Sequence, residues 1–535
     1  MKLSTALVIV CIAMLLISCA SVRTTQSPFW NVDIDTFMGY VAEKEVADFE
    51  GIWDIDGNYT VGVLREGTGY IGFTLDSVFE DWKPRMVKFK VETIDDLVRT
   101  TWYMRDHSLR ISSSEVTLLG DNFLAIAGNL LERVDSKFPS NTFDLSSDAE
   151  FVVQMVEEIH PIFIMEGMLA DDYAERRSEY LTSTKTLLHL NDFLFATARY
   201  TVALKDAHMN YFAIYPNELD VEFVYQDRKM YLHSQPSAEV LEIAGIPIKD
   251  ILDEIDNYVY FENESARILK YPEYVRNEVI FKLMGVEAPE TRIVPLTLLE
   301  NEEQATFEVP FVPITHTHAN QPNYIIRNEM IEDIFFISLT RFIDGDHITE
   351  VAEEIEKAVE NGIWRFIIDL RGNPGGNSDA GDRLLQAMGI SLPAHGGVLR
   401  DSEEIRDIFE LTEDDFDEDG RRISTPSSES ENPNNVFVSV LSNRNSFSSA
   451  HFLMAKVQDG KLGNIIGEPS SNSPSSFGQM TYFPTPIIKQ QIWVSTTWFL
   501  RPDANADQNT LVPDILVPSE DALDTAVEYL RRLER

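Results

Sequence analysis

The chain has 535 residues, 44 of them Lys or Arg against 88 Asp or Glu, a formal net charge of −44. That length is too great for one hydrophobic core, so several domains are expected. Hydrophobic residues make up 44%, an ordinary globular share, and a surface this acidic repels nucleic acid and anionic membrane, which argues against a nucleic-acid partner.

At the N-terminus, Lys2 and the apolar run Leu7–Ile17 have the form of a signal segment too short to span a bilayer. Leu16-Ile17-Ser18-Cys19 resembles a bacterial lipobox. The expectation is a signal peptide over residues 1–18, cleavage before Cys19, lipidation of its thiol and attachment of an exported chain to the cell envelope. An ordinary signal peptide with an incidental cysteine is the competing reading. Ala20 in place of an acidic residue favours an outer membrane where the cell has two. Cys11 and Cys19 are the two cysteines, so a chain processed in this way has no disulfide and no Cys-based metal site.

Residues 19–45 read as a tether. Over 46–138 come short alternating runs, Asn58–Leu64, Thr68–Thr74, Arg99–Met104 and Phe123–Ala127, punctuated by Gly, Asp and Asn. They predict an all-β, barrel-like module. Its EGIW…YTVGV…GYIGF order resembles lipocalin-like modules, with ligand binding and a spacer role both open. Residues 142–214 are helical in pattern, since Phe151, Val152, Met155, Val156 and Ile159 recur at helical spacing. That stretch closes on Lys205-Asp206-Ala207-His208. Residues 215–315 turn β-rich, and Val240–Leu252 resembles a PDZ-like insert, an element that meets substrate termini.

Residues 320–535 alternate strand and helix patterns: Ile334–Leu339, His347–Asn361, Phe366–Leu370, Asp379–Met388, Val436–Ser442, Ser448–Val457, Asn464–Gly467 and Gln491–Phe499. This is the pattern of an α/β core. An acidic, Ser/Pro-rich insert at 401–435 interrupts it, with a lid role open. The fold class is therefore multidomain α+β: a barrel-like module, a helical segment, a PDZ-like insert and an α/β core.

Two stretches of this core carry chemistry. Phe366–Asn377 (FIIDLRGNPGGN) and Val436–Lys456 (VFVSVLSNRNSFSSAHFLMAK) each run from an apolar strand through small polar residues into a helix. Strand, tight turn, helix exposes a nucleophile and aims backbone N–H groups at an anion. Ser448 stands where the second turn becomes helix; Ser446, Ser448 and Ser449 would each also serve as a helix cap. Together the two stretches resemble the active-site halves of peptidase family S41, the tail-specific or C-terminal-processing proteases and their tricorn-core relatives.

The resemblance implies a crotonase-like, ClpP-like core that hydrolyses peptide bonds in a protein or peptide substrate with no metal or other cofactor. It implies Ser448 as nucleophile and an oxyanion site from the Ser449 N–H and that of Gly375 or Gly376. Asp369 and Arg371 read as structural. Relatives with a Ser–Lys dyad carry lysine where Gly467-Glu468-Pro469-Ser470-Ser471-Asn472-Ser473 places Ser473, which rules against that dyad here. The tricorn-like branch implies instead His208 of the D-x-H motif as base, with imidazole suited to proton transfer near neutral pH. It implies an acid six residues before Pro513-Asp514, which is Asp507, with Asp503 competing. His451, three residues past Ser448, is a rival base, and His316-Thr-His318 reads as a polar loop. Two further functions stay open: an inactive scaffold of this type that binds peptides or an envelope partner, and a small-ligand carrier acting through the β module. Oligomeric state is not readable.

Overall fold

The computed structural model describes residues 27–43, 49–55, 58–94, 97–112, 116–119, 123–126, 129–134, 144–187, 190–211, 217–286, 293–313 and 325–534. The signal segment, Cys19 and the His316/His318 pair lie outside the described residues. Chain contacts resolve into two compact units, one of residues 1–153, 177–197 and 482–492, the other of 154–176, 198–481 and 493–535. Among the described residues, no helix is long and apolar enough to cross a membrane.

The first unit contains β1 (Gly51–Ile55), β2 (Tyr59–Glu66), β3 (Gly69–Ser77), β4 (Val87–Ile94), β5 (Leu97–Tyr103), β6 (Leu109–Ser112), β7 (Val116–Leu119), β8 (Phe123–Ile126) and β9 (Asn129–Arg133). They form one antiparallel sheet in the order β6-β5-β4-β3-β2-β1-β9-β8-β7. Alternation sorts the two faces. Trp53, Ile55, Val61 and Val63 join one apolar cluster, whereas Ile52 and Leu64 pack with Phe37, Val41 and Phe73. Phe37 and Val41 come from the helix Ile34–Glu43. The predicted all-β module is present as a nine-stranded meander, and β6 and β7 at its two ends do not pair among the described residues.

The predicted helical stretch forms helices Ser146–Ile159, Tyr173–Ser183 and Leu190–Thr201. In the second unit follow β10 (Asn217–Leu219), β11 (Phe223–Gln226), β12 (Lys229–Leu232), β13 (Gln235–Ile243), β14 (Ile246–Pro247), β15 (Ile293–Glu300) and β16 (Glu303–Pro313). These seven make an antiparallel sheet, ordered β10-β16-β15-β13-β12-β11 with β14 on β13. Helices Ile248–Ile255, Glu264–Arg276 and Glu278–Leu283 interrupt it. Asn263 caps the second of these helices, its Oδ1 accepting the Ala266 N–H at 2.9 Å.

The remaining strands are β17 (Ile326–Ile331), β18 (Ile334–Leu339), β19 (Arg365–Asp369), β20 (Gly396–Arg400), β21 (Arg421–Ser424), β22 (Phe437–Ser442), β23 (Gly463–Gly467), β24 (Ser476–Pro484), β25 (Gln491–Leu500) and β26 (Ile515–Leu516). One sheet runs β17-β18-β19-β22-β23-β26, parallel except for β17, and a second runs β21-β20-β25-β24. The central parallel strands are mostly apolar because both faces are covered. Phe335, Ile337, Phe366, Ile368, Val438 and Val440 face helices Asp346–Glu360, Asp379–Ala387 and Ser449–Asp459. Ile334, Phe336, Ile367, Leu441 and Ile466 face helix Ala522–Arg532 on the other side. Each such buried aliphatic or aromatic side chain contributes about 1.5–3 kcal/mol, which fixes the strand ends where the two motif turns begin. The acidic insert is folded onto this core: it contains helix Glu403–Phe409, and β21 pairs with β20.

Candidate active site

Strands β19 and β22 lie side by side and parallel, so their following turns emerge at the same edge of the sheet. The turns are stitched together. Ser446 Oγ donates to the Leu370 carbonyl at 2.8 Å, the Phe447 N–H to the Asn373 carbonyl at 2.9 Å, and the Gly372 N–H to Asn443 Oδ1 at 2.9 Å. Asp369 and Arg371 form a two-pronged ion pair at 2.9 and 2.7 Å, and the guanidinium also donates to the Ser519 carbonyl, a structural clamp as the sequence implied.

The three serines of the second turn separate by their bonds. Ser446 is committed to Leu370. Ser449 Oγ donates to the Gly376 carbonyl at 2.6 Å and meets Ser378 Oγ at 2.9 Å. Ser448 precedes the first helical residue, makes no side-chain cap and is partly exposed. Its backbone is held at φ 54°, ψ −123°. A non-glycine residue there stores strain of about 1–3 kcal/mol. Among the described residues, the hydroxyl of Ser448 is therefore the one that is unbonded, partly exposed and presented by a strained turn at a helix N-terminus.

Gly375 and Gly376 sit at φ 96° and 135°, left-handed territory that suits glycine. A Cβ on Gly375 would lie 2.7 Å from Ser448 Cβ and 2.9 Å from the Ser449 nitrogen, so the first turn touches the second here. The Gly375 N–H is already given to Asn373 Oδ1 at 2.8 Å. Among the described residues that leaves the N–H groups of Gly376 and Ser449 unpaired, the latter because first-turn helical amides lack acceptors.

His208 lies in the short turn Ala207–Met209, capped by Asp206, whose Oδ1 accepts the His208 N–H at 2.8 Å. The imidazole is 5% exposed and packs on the ring next to the nucleophile, 4.8 Å from Phe447 at 42°. Among the described residues neither ring nitrogen has a hydrogen-bond partner, and Nδ1 stands 3.7 Å from Asp206 Oδ1. Asp206 is itself buried, its Oδ2 3.2 Å from His160 Nε2. Since His160 Nδ1 accepts the Ile162 N–H, the His160 proton sits on Nε2 and points at Asp206. Burial pushes the Asp206 carboxyl up, but the His160 bond and the two histidines beside it pull it below the usual range, so it stays ionised. Burial pulls His208 down, and Asp206 and Glu262 more than reverse this, leaving it above its ordinary value.

The sequence-based acid lies elsewhere. Asp507 is exposed and its Oδ1 accepts the N–H groups of Asn509 and Thr510 at 2.8 and 3.3 Å. Asp503 is likewise turned onto its own loop, accepting the Asn505 N–H at 2.9 Å. The structure does not bring either carboxylate to His208; Asp206 and Glu262 are the acids that act on it. Ser473 occupies the lysine position with its hydroxyl on the Asn509 carbonyl at 2.9 Å. His451 is fully buried, both nitrogens are unpaired among the described residues, and burial with nearby Arg501 pushes it down to about 3.

A histidine held below its unfolded value of about 6.5 takes up its proton in the unfolded chain first. The stability of the neutral buried form is therefore present above pH 6.5 and is lost as pH falls toward 3. His451→Phe should remove part of this loss. Between pH 7 and pH 5, urea unfolding is expected to show the variant losing about 2 kcal/mol less than the wild type, and equal losses would contradict the assignment.

Residues 333–517 match the model of peptidase family S41. This region belongs to that family. The S41 region spans β18 to β26 and so includes both motif turns. A curated relative, the carboxyl-terminal-processing peptidase 2, chloroplastic, of Arabidopsis thaliana, is 25% identical over 236 residues, 42% of this chain and 38% of its own length. The chain thus spans well under half of that relative. Among solved structures, mature CPAF covers 72% of this chain and 95% of its own at 16% identity and TM-score 0.46. The photosystem II D1 C-terminal processing protease covers 70% and 93% at 13% identity and TM-score 0.34.

Proposed function

We propose that this chain is a serine peptidase that cuts peptide bonds of protein or peptide substrates, with Ser448 as nucleophile and His208 as general base. The observation that carries this reading is the unbonded, partly exposed hydroxyl of Ser448 on a strained strand–turn–helix corner, with the His208 ring packed on the adjacent Phe447. Ser448 Oγ attacks the substrate carbonyl carbon and its proton passes to His208. The Gly376 and Ser449 N–H groups receive the developing oxyanion, an interaction that strengthens as charge forms. The amine leaves with the proton from His208, and water then releases the acyl group by the same route in reverse. Asp206, in place of Asp507, is the carboxylate facing the imidazolium. Export with a lipid anchor at Cys19 is part of the proposal, as is a role for residues 217–313 in meeting substrate termini.

The test is covalent labelling of soluble Ser21–Arg535 by a fluorophosphonate across pH. Labelling should vanish in Ser448→Ala and fall by more than about 10³-fold in His208→Ala. Attack needs neutral His208, so the rate should rise with pH, with its midpoint above the ordinary 6.5. Asp206→Asn should cost about 10²-fold or more and Asp507→Asn only a few-fold, and the reverse order would reinstate Asp507. A second reading, a peptide-binding scaffold without catalysis, is favoured by one observation: Ser448 and His208 share no hydrogen bond. No labelling of folded wild-type protein at any pH would select it.

A further inference from the structure

We propose that Glu262 is a positioning residue of this site, holding the Ser448 turn through Asn472 and acting on His208 through its charge. The inference rests on the peptidase reading above and deepens it.

The connection is a single side chain. Asn472 is buried; its Oδ1 accepts the Ser448 N–H at 2.6 Å, and its Nδ2 donates to Glu262 Oε2 at 2.6 Å. The same Glu262 oxygen accepts the Ser473 N–H at 2.5 Å. The backbone amide of the strained residue is thereby tied, through one amide group, to a carboxylate. An anchored donor at this point helps keep Ser448 in a conformation that the backbone alone disfavours.

The segment carrying Glu262 is pinned on two sides. Asn263 Nδ2 donates to the carbonyls of Ser470 and Asn472 at 3.2 and 3.1 Å, locking it to the loop that follows β23. The Tyr260 N–H donates to Asn210 Oδ1 at 3.2 Å, locking it to the chain just past His208. Glu262 thus lies between the histidine's turn and the serine's supporting loop.

No lysine or arginine pairs with Glu262 among the described residues, so its charge is not spent on an ion pair. The charged groups that act on it are His208 and Asp206 of the 206–209 turn, and its own charge acts on Tyr260 of its segment; His160 bonds the far oxygen of Asp206, and Arg267 acts on Tyr260. The 470–473 loop contributes only uncharged donors. Burial pushes the Glu262 carboxyl up to about 7, against His208 and the two N–H donors that favour its charged form. Carboxylate and imidazole therefore titrate as a coupled pair near neutrality. When Ser448 gives up its proton, the imidazolium that forms has this anion near it.

Glu262→Gln keeps an acceptor for both N–H donors and removes the charge. With ¹³Cε1-labelled histidine and a His208→Gln spectrum for assignment, the NMR titration of His208 should move down by about one pH unit or more in the variant. Glu264→Gln, at an exposed neighbour, should leave it in place. The midpoint of the fluorophosphonate rate should move down with it. Asn472→Ala should instead lower the plateau rate at least tenfold with its midpoint unmoved. A His208 titration unchanged in Glu262→Gln overturns the charge role, and an unchanged plateau in Asn472→Ala overturns the tether. The NMR readout does not require turnover, so wild-type protein that fails to label refutes the peptidase reading, while the titration decides Glu262 separately.

Discussion

Ser448→Gly should abolish activity and at the same time make the protein more stable. Ser448 is held at φ 54°, ψ −123°, where a side chain is disfavoured and glycine is at ease. Relieving that strain is worth about 1–2 kcal/mol, less the added backbone freedom of glycine in the unfolded chain. Little opposes the gain, because the Ser448 hydroxyl makes no cap and its main-chain bonds survive: the N–H on Asn472 and the carbonyl accepting from Phe452 at 3.0 Å. Peptide hydrolysis and fluorophosphonate labelling should both fall by about 10⁴-fold or more, since the proposed nucleophile is gone. Ser446→Gly is the contrasting variant. That hydroxyl bonds the Leu370 carbonyl and accepts the Asn443 N–H at 3.1 Å, so its loss should destabilise. A Ser448→Gly protein that melts below wild type would mean that the turn is not strained in solution.

How much of this was readable in advance differs from element to element. The strand Ile334–Leu339 occupies the predicted residues because an apolar run buried on both faces, bounded by polar residues, has one way to sit in a parallel sheet. The place of Ser448 at the end of the turn was readable because strand, turn and helix are local in sequence. Where the Asp507 carboxylate turns was not. Spacing places Asp507 in a loop but cannot say where its carboxylate turns, and Asp507-Gln508-Asn509 is itself an Asx-turn pattern in which the oxygen serves its own backbone. Asp206 stood inside the D-x-H motif, yet its side chain bonds depend on His160 from another helix end. Glu262 carries no motif at all. Its one signal was an acid flanked by Tyr260-Phe261 and the capping Asn263, and it gains meaning only when the fold brings Asn210 to Tyr260 and Asn472 to Ser448.

Loss of the Asp459 carboxylate should cost the fold about 3–5 kcal/mol, because a buried ion pair broken from one side leaves an uncompensated charge. The side chains of Asp459 and Arg501 are 3% and 5% exposed, joined at 2.7–3.1 Å through three contacts. Asp459 ends the helix that Ser448 begins, where the helix dipole disfavours an anion, so the acid depends on Arg501. The pair also ties down the loop after β25. Asp459 accepts the Asp503 N–H at 3.0 Å, and Arg501 donates to the Asp507 carbonyl at 2.6 Å and to Gln458. Asp459→Ala is therefore expected to lower the melting temperature by about 10 °C, and Arg501→Met by a similar amount. The double variant Asp459→Leu/Arg501→Met should recover much of that loss, since two apolar side chains no longer need each other. Single and double losses that simply add would show that the two groups act independently. The double variant also isolates the loop: if it melts like wild type and still labels at Ser448, the 501–510 segment is held by this pair for stability and supplies nothing the serine requires.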